Sequence, residues 1–189
     1  MIAPPPLPTA PLLQPVQLHH SGVPLVVIRQ DHLRHENALK SLGILHLLAG
    51  GIFAFASIVL GLGFAFSLVA GTGVISEKPE ELVMLVLIPA FAALHLQVGL
   101  GLRRLKASVR TVAILLACFG LLSFPLGTLI NAAALSYLLS GKGAFVFTEE
   151  YRDIISQTPH VKAKTSITAV ILLIVALFIL TALLLPWFL

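Results

Sequence analysis

Long apolar stretches separated by short polar ones dominate the chain. Ala38–Val69, Leu82–Leu102, Val112–Leu139 and Ile167–Leu189 contain no acidic residue, and Lys40 is their only lysine or arginine. A helix rises about 1.5 Å per residue, so each stretch is long enough to cross a hydrocarbon core of about 30 Å. Inside lipid the backbone must satisfy its own polar groups, which a helix does within one segment. The pattern predicts an all-α integral membrane protein, a four-helix bundle with spans at about 38–69, 82–102, 111–139 and 167–188.

The polar stretches set the rest of the organisation. Residues 1–30 form a proline-rich, disordered tail, with Pro4, Pro5, Pro6, Pro8, Pro11, Pro15 and Pro24 removing the donors a helix needs. Asp31 is placed to cap a helix that runs on into the first span and opens a transmembrane domain over 31–189. Gly71, Gly73 and Pro79 turn the chain between spans one and two, making a hairpin. Between spans three and four, Thr148 caps a short helix over 148–158, Glu149 and Glu150 suit its positive end, and Pro159 stops it. Phe147, Tyr151, Ile154 and Ile155 recur at helical spacing, so this is an amphipathic helix lying at the membrane interface or over the bundle end.

Composition agrees with the pattern and adds a sidedness. Hydrophobic residues are 58% of the chain, charged ones 11%, and the mean hydropathy is +1.01, too little polar surface for a soluble globule. The net charge of +4 comes from basic residues beside the span ends, which points to topology and lipid headgroups and away from nucleic acid. Arg103, Arg104, Lys106 and Arg110 make the most basic short loop, which the positive-inside rule places in the cytoplasm. Four crossings then put both termini there too. The margin is only seven basic residues to five, because Lys142, Arg152, Lys162 and Lys164 fall on the other side. The single cysteine, Cys118, excludes an internal disulfide and a cysteine metal cage within one chain.

Two neighbouring stretches carry a family resemblance. Phe124, Pro125, Gly127 and Thr128 break a membrane helix, and Phe147, Thr148, Glu150, Tyr151, Thr158, Pro159, Lys162, Lys164, Thr165 and Ser166 follow in the next segment. Over residues 121–166 the chain resembles a group of small bacterial multi-pass membrane proteins. The resemblance implies a bacterial inner-membrane location and the helical architecture; it carries over no catalytic residue, since the group has no assigned activity.

Three sets of residues bear on chemistry. His46 near the start of span one and His95 near the end of span two fall on the same membrane side of a hairpin, where two imidazoles can ligate haem or a metal, relay a proton, or each simply donate to a carbonyl of a neighbouring helix. Two histidines without a carboxylate or cysteine are a weak metal signal. Pro125 frees a carbonyl near Leu121, and Gly127, Thr128 and Asn131 either satisfy a packed kink or line a substrate position in a transporter. Ser57, Ser123, Thr128 and Cys118 lack an acid–base partner at a recognisable spacing, so no catalytic residue is assigned.

Small residues at Gly50 and Ala54, and at Ser57, Gly61 and Ala65, allow close helix approach. The sequence therefore favours a non-enzymatic accessory subunit or scaffold, with no cofactor and no metal, whose partners are the bilayer and a second protein or a second copy. A transport or channel component using the kinked third span is the first alternative; a haem or metal carrier using His46 and His95 is the second.

Overall fold

The computed structural model describes residues 18–71 and 79–161, so the leader up to residue 17 and the expected fourth span at 167–188 lie outside the described residues. The described chain is helical throughout, with no strand beyond an isolated bridge between Leu18 and Pro24. Helix α1 (Leu25–Val69) is followed by α2 (Pro79–Arg103), α3 (Ala107–Gly120), α4 (Leu126–Leu139), α5 (Gly141–Val146) and α6 (Glu149–Gln157).

Helix α1 begins six residues before the expected cap at Asp31. Pro24, with φ at −58°, stands at its N-cap without a side-chain hydrogen bond, and the leucine, valine and isoleucine that follow propagate the helix directly. Asp31 instead lies within the helix and accepts from Lys142 Nζ at 2.6 Å. Residues 25–30, expected to belong to the tail, are helical, with Leu25 in the buried core and Arg29 bonded to the end of α6.

Helices α1 and α2 form the expected hairpin. They approach backbone to backbone where glycine faces glycine: a methyl group on Gly43 would stand 2.9 Å from the Gly99 carbonyl oxygen, and one on Gly99 would stand 2.8 Å from that of Gly43. Removing both Cβ atoms is what allows backbone to touch backbone there. By length and composition two helices are able to cross a membrane, Leu25–Val69 and Leu82–Arg103.

The third apolar run departs from expectation. It is two helices of 14 residues each, α3 and α4, folded back on one another through the turn at Leu121–Pro125. Arg110 Nε in the first turn of α3 donates to the Leu138 carbonyl at the end of α4, at 3.0 Å. Ala113 and Ala117 on α3 and Ala134 on α4 are buried, small enough to let the two helices lie close. Each is about 21 Å long at 1.5 Å per residue, short of a hydrocarbon core of about 30 Å. A single crossing over 111–139 is therefore replaced by a helical hairpin whose two ends share one end of the molecule.

Buried side chains collect at that same end. Leu39, Leu102, Leu138, Val146, Tyr151 and Ile154 are each 2% exposed or less and belong to one core, drawn from the start of α1, the ends of α2 and α4, α5 and α6. Complete burial of a leucine is worth about 1.5–3 kcal/mol, so this cluster anchors the cap. Beyond it the helices are bare: Ile58, Leu62 and Phe66 on α1, and Val83 and Val86 on α2, are exposed apolar residues. The turn between α2 and α3 is tied to the cap by Leu105, which adopts φ 52° and is only 2% exposed. Lys106 N–H closes the turn on the Gly101 carbonyl at 2.9 Å.

Candidate functional site

The cap is locked by a buried polar cluster between α1 and α6. Arg29, Glu36 and Lys40 stand seven and four residues apart, on one face of α1. Glu36 accepts from Lys40 Nζ at 2.5 Å on one carboxylate oxygen and from the Tyr151 hydroxyl at 2.9 Å on the other. Arg29 Nε faces Glu36 Oε2 at 3.5 Å, close enough for ionic attraction though long for a hydrogen bond. Its Nη1 donates to the carbonyl oxygens of Ile155 and Thr158 and, at 3.1 Å, to Thr158 Oγ1. A guanidinium so placed satisfies the open carbonyls at the end of α6 and meets the negative end of its dipole.

Burial shapes the titration of this cluster. Desolvation alone would raise the Glu36 carboxyl, but its bonds to Lys40 and Tyr151 and the nearby Arg29 outweigh it, and the group lies below its ordinary value. The Tyr151 phenol is pushed far up, by burial first and then by the Glu36 carboxylate beside it. At neutral pH the cluster is thus a carboxylate between two cations with a neutral phenol donating to it. These groups hold one another and clamp α6 against α1.

Helix α6 runs from Glu149 to Gln157, with Thr148 Oγ1 accepting from Tyr151 N–H at 3.2 Å. Phe147, Tyr151 and Ile154 are buried and Ile155 is half-buried, so this face covers the start of α1. Lys142 joins the other side of α1 through Asp31. The segment after α4 therefore sits at the same end as the N-terminal part of α1, where four crossings would have put the two at opposite ends. The correction follows from the fold-back of α3 and α4.

His46 and His95 are brought together, Nδ1 to Nδ1 at 3.0 Å, with ring centroids 5.0 Å apart and Phe53 5.6 Å from His95. One ring donates to the other, so both Nδ1 atoms are engaged. The helices on either side are clamped at Gly43–Gly99 and at Gly50, where a methyl would stand 2.8 Å from Leu96 Cγ. Such packing leaves no slot between the rings for a porphyrin. Among the described residues no group of three or more histidine, cysteine, aspartate or glutamate side chains is placed to hold a metal ion.

At the hairpin tip, Thr128 Oγ1 donates to the Leu121 carbonyl at 2.7 Å and Asn131 Nδ2 to the Gly127 carbonyl at 2.7 Å. Pro125 precedes α4, and Gly127 lies against Ser123 Cβ. Of the two alternatives for these polar side chains, a packed kink or a transport position, the bonds to the hairpin's own backbone are those of a packed kink. Sequence reasoning did not bring Arg29 and Glu36 together with Thr158; the signal was available in the i, i+7, i+11 spacing of Arg29, Glu36 and Lys40 along one face of α1.

No protein-family model matches the chain, and neither the curated proteins nor the solved structures contain a significant match.

Proposed function

We propose that this chain is a small integral membrane protein that serves as an accessory subunit or scaffold and has no catalysis of its own. The observation that carries the reading is the division of the molecule into two parts. One end is a packed cap with a core and a buried ion cluster. The remainder is apolar helix with its leucines, valines and phenylalanines uncovered, the surface that lipid covers best. The α1–α2 hairpin crosses the bilayer, and α3–α4 enters and leaves on the cap side as a half-membrane hairpin. Non-crossing segments of this kind persist where their polar groups are met internally, as Thr128 and Asn131 do here.

The charge distribution supports one orientation. Every lysine and arginine among the described residues lies at the cap end: Arg29 to Lys40 on α1, Arg103 to Arg110 around the α2–α3 turn, and Lys142 and Arg152 beyond α4. The cap then faces the cytoplasm with the N-terminal segment, in the inner membrane that the bacterial resemblance implies. The C-terminus, expected in the cytoplasm, lies outside the described residues.

Extraction from native membranes in mild detergent, followed by native mass measurement and identification of what remains bound, tests the role. A stoichiometric partner chain or a defined homo-oligomer is expected. A lone chain that turns over or transports a small molecule overturns the reading.

A further inference from the structure

We propose that the cap side of α3 is a binding site for an anionic glycerophospholipid, with its phosphate held beside Arg110 and Arg152 and its acyl chains laid along the exposed face of α3. The inference rests on the membrane reading above. A cavity of about 300 Å³ opens between the first turn of α3 and the α5–α6 junction, lined by Arg110, Thr111, Thr148, Arg152 and Glu149 above a floor that includes Phe147. Arg110 uses Nε on the Leu138 carbonyl, and no carboxylate lies within ion-pair distance of it among the described residues. Among the described residues Arg152 is paired only with Glu149, at 3.2 Å, and that carboxylate is 91% exposed. Arg103, Arg104 and Lys106 stand exposed in the adjacent turn, likewise without an acidic partner among the described residues.

The surface below the cavity has the opposite character and continues in line with it. Thr111, Leu115 and Phe119 are four residues apart on α3, hence on one face. Leu115 is 55% and Phe119 72% exposed. A cationic recess at the top of a bare apolar helix face, at the level where the helices leave the apolar zone, matches a ligand with a negative head and hydrocarbon tails. Free phosphate would use the recess and leave the stripe untouched; a neutral lipid would cover the stripe and leave the cations uncompensated.

Purified full-length protein in mild detergent, loaded with phosphatidylglycerol or phosphatidylcholine and measured by native mass spectrometry, tests the site. Phosphatidylglycerol is expected to be retained in preference. Lys106→Gln with Arg152→Gln leaves the Arg110–Leu138 bond intact and is expected to lower that retention roughly tenfold. Arg34→Gln, an exposed cap charge on α1, is expected to leave it unchanged. Equal retention of the two lipids, or the same loss from Arg34→Gln, overturns the site. A chain that stays dispersed without detergent instead overturns the membrane reading, so the two failures are distinguishable.

Discussion

Arg110 in the first turn of α3 and Leu138 at the end of α4 are joined by a 3.0 Å hydrogen bond across 28 residues of apolar chain. The bond places both ends of that run together, and the rest of the cap follows from it. Because α4 returns to where α3 began, α5 and α6 are delivered to the start of α1, where Glu36 meets Tyr151 and Asp31 meets Lys142.

Removing the Tyr151 hydroxyl leaves a buried carboxylate short of one donor. A hydrogen bond to a charged group is worth about 1.5–3 kcal/mol, so Tyr151→Phe is expected to lower cap stability by that order. Glu36→Gln is expected to cost more, since it leaves the buried Arg29 without a counter-charge. Denaturant or thermal unfolding in detergent, read by protease sensitivity at α6, checks both. Equal stability of the wild type and Tyr151→Phe would contradict the clamp.

The same cluster predicts a pH window. Glu36 titrates below its ordinary 4.5 when folded, so the unfolded chain takes up its proton first as pH falls. Its contribution is present above about pH 4.5 and is lost as pH drops through the lower folded value. Tyr151 titrates above its ordinary 10.0 when folded, so its contribution is present below pH 10 and fades as pH rises beyond it. Cap stability is therefore expected to form a plateau that stands lower in both variants and loses its acid-side fall-off in Glu36→Gln and its alkaline-side fall-off in Tyr151→Phe when each is followed against pH. Unchanged profiles would count against the assignment.

Gly43 has no room for a side chain against Gly99. Gly43→Val is expected to part α1 from α2 at a cost of about 1–3 kcal/mol, the usual range for overpacking, and to separate His46 from His95. A cysteine pair at those two histidines, in a Cys118→Ser background, should cross-link in the parent and lose that cross-link with Gly43→Val. Persistence of the cross-link would contradict the glycine contact.

Leu105 sets two effects against each other. Its φ of 52° costs a leucine about 1–2 kcal/mol, which glycine would relieve. Its side chain is almost wholly buried, and truncating a buried leucine costs about 2–5 kcal/mol. Burial wins, so Leu105→Gly is expected to lower the unfolding midpoint; a rise would show that the strain dominates.

Much of this was written locally in the sequence. Thr148 followed by two glutamates and an apolar face at Phe147, Tyr151 and Ile154 gave α6 almost to the residue, because a cap and a helical period act over a few positions. The hairpin of α1 and α2 was legible from length, Gly71 and Pro79. The fold-back of α3 on α4 was not. A run of apolar residues long enough to cross reads the same whether it crosses or turns round, and Pro125 signals a break without giving its angle. What decides is the long-range meeting of Arg110 with Leu138 and the small faces at Ala113, Ala117 and Ala134. The start of α1 was misplaced for a related reason. Aspartate is a better cap than proline, but the tertiary partners of Arg29 and Asp31 extend the helix past it.

The sidedness of the cap is the central claim, and single-cysteine labelling in intact vesicles tests it most directly. In a Cys118→Ser background, cysteines at Gln30 on α1 and Gln157 on α6 should react with a membrane-impermeant maleimide from the same side, while Ser123→Cys at the hairpin tip should be shielded from both. Labelling of positions 30 and 157 from opposite sides would mean that residues 107–139 cross the bilayer once, and would contradict the account.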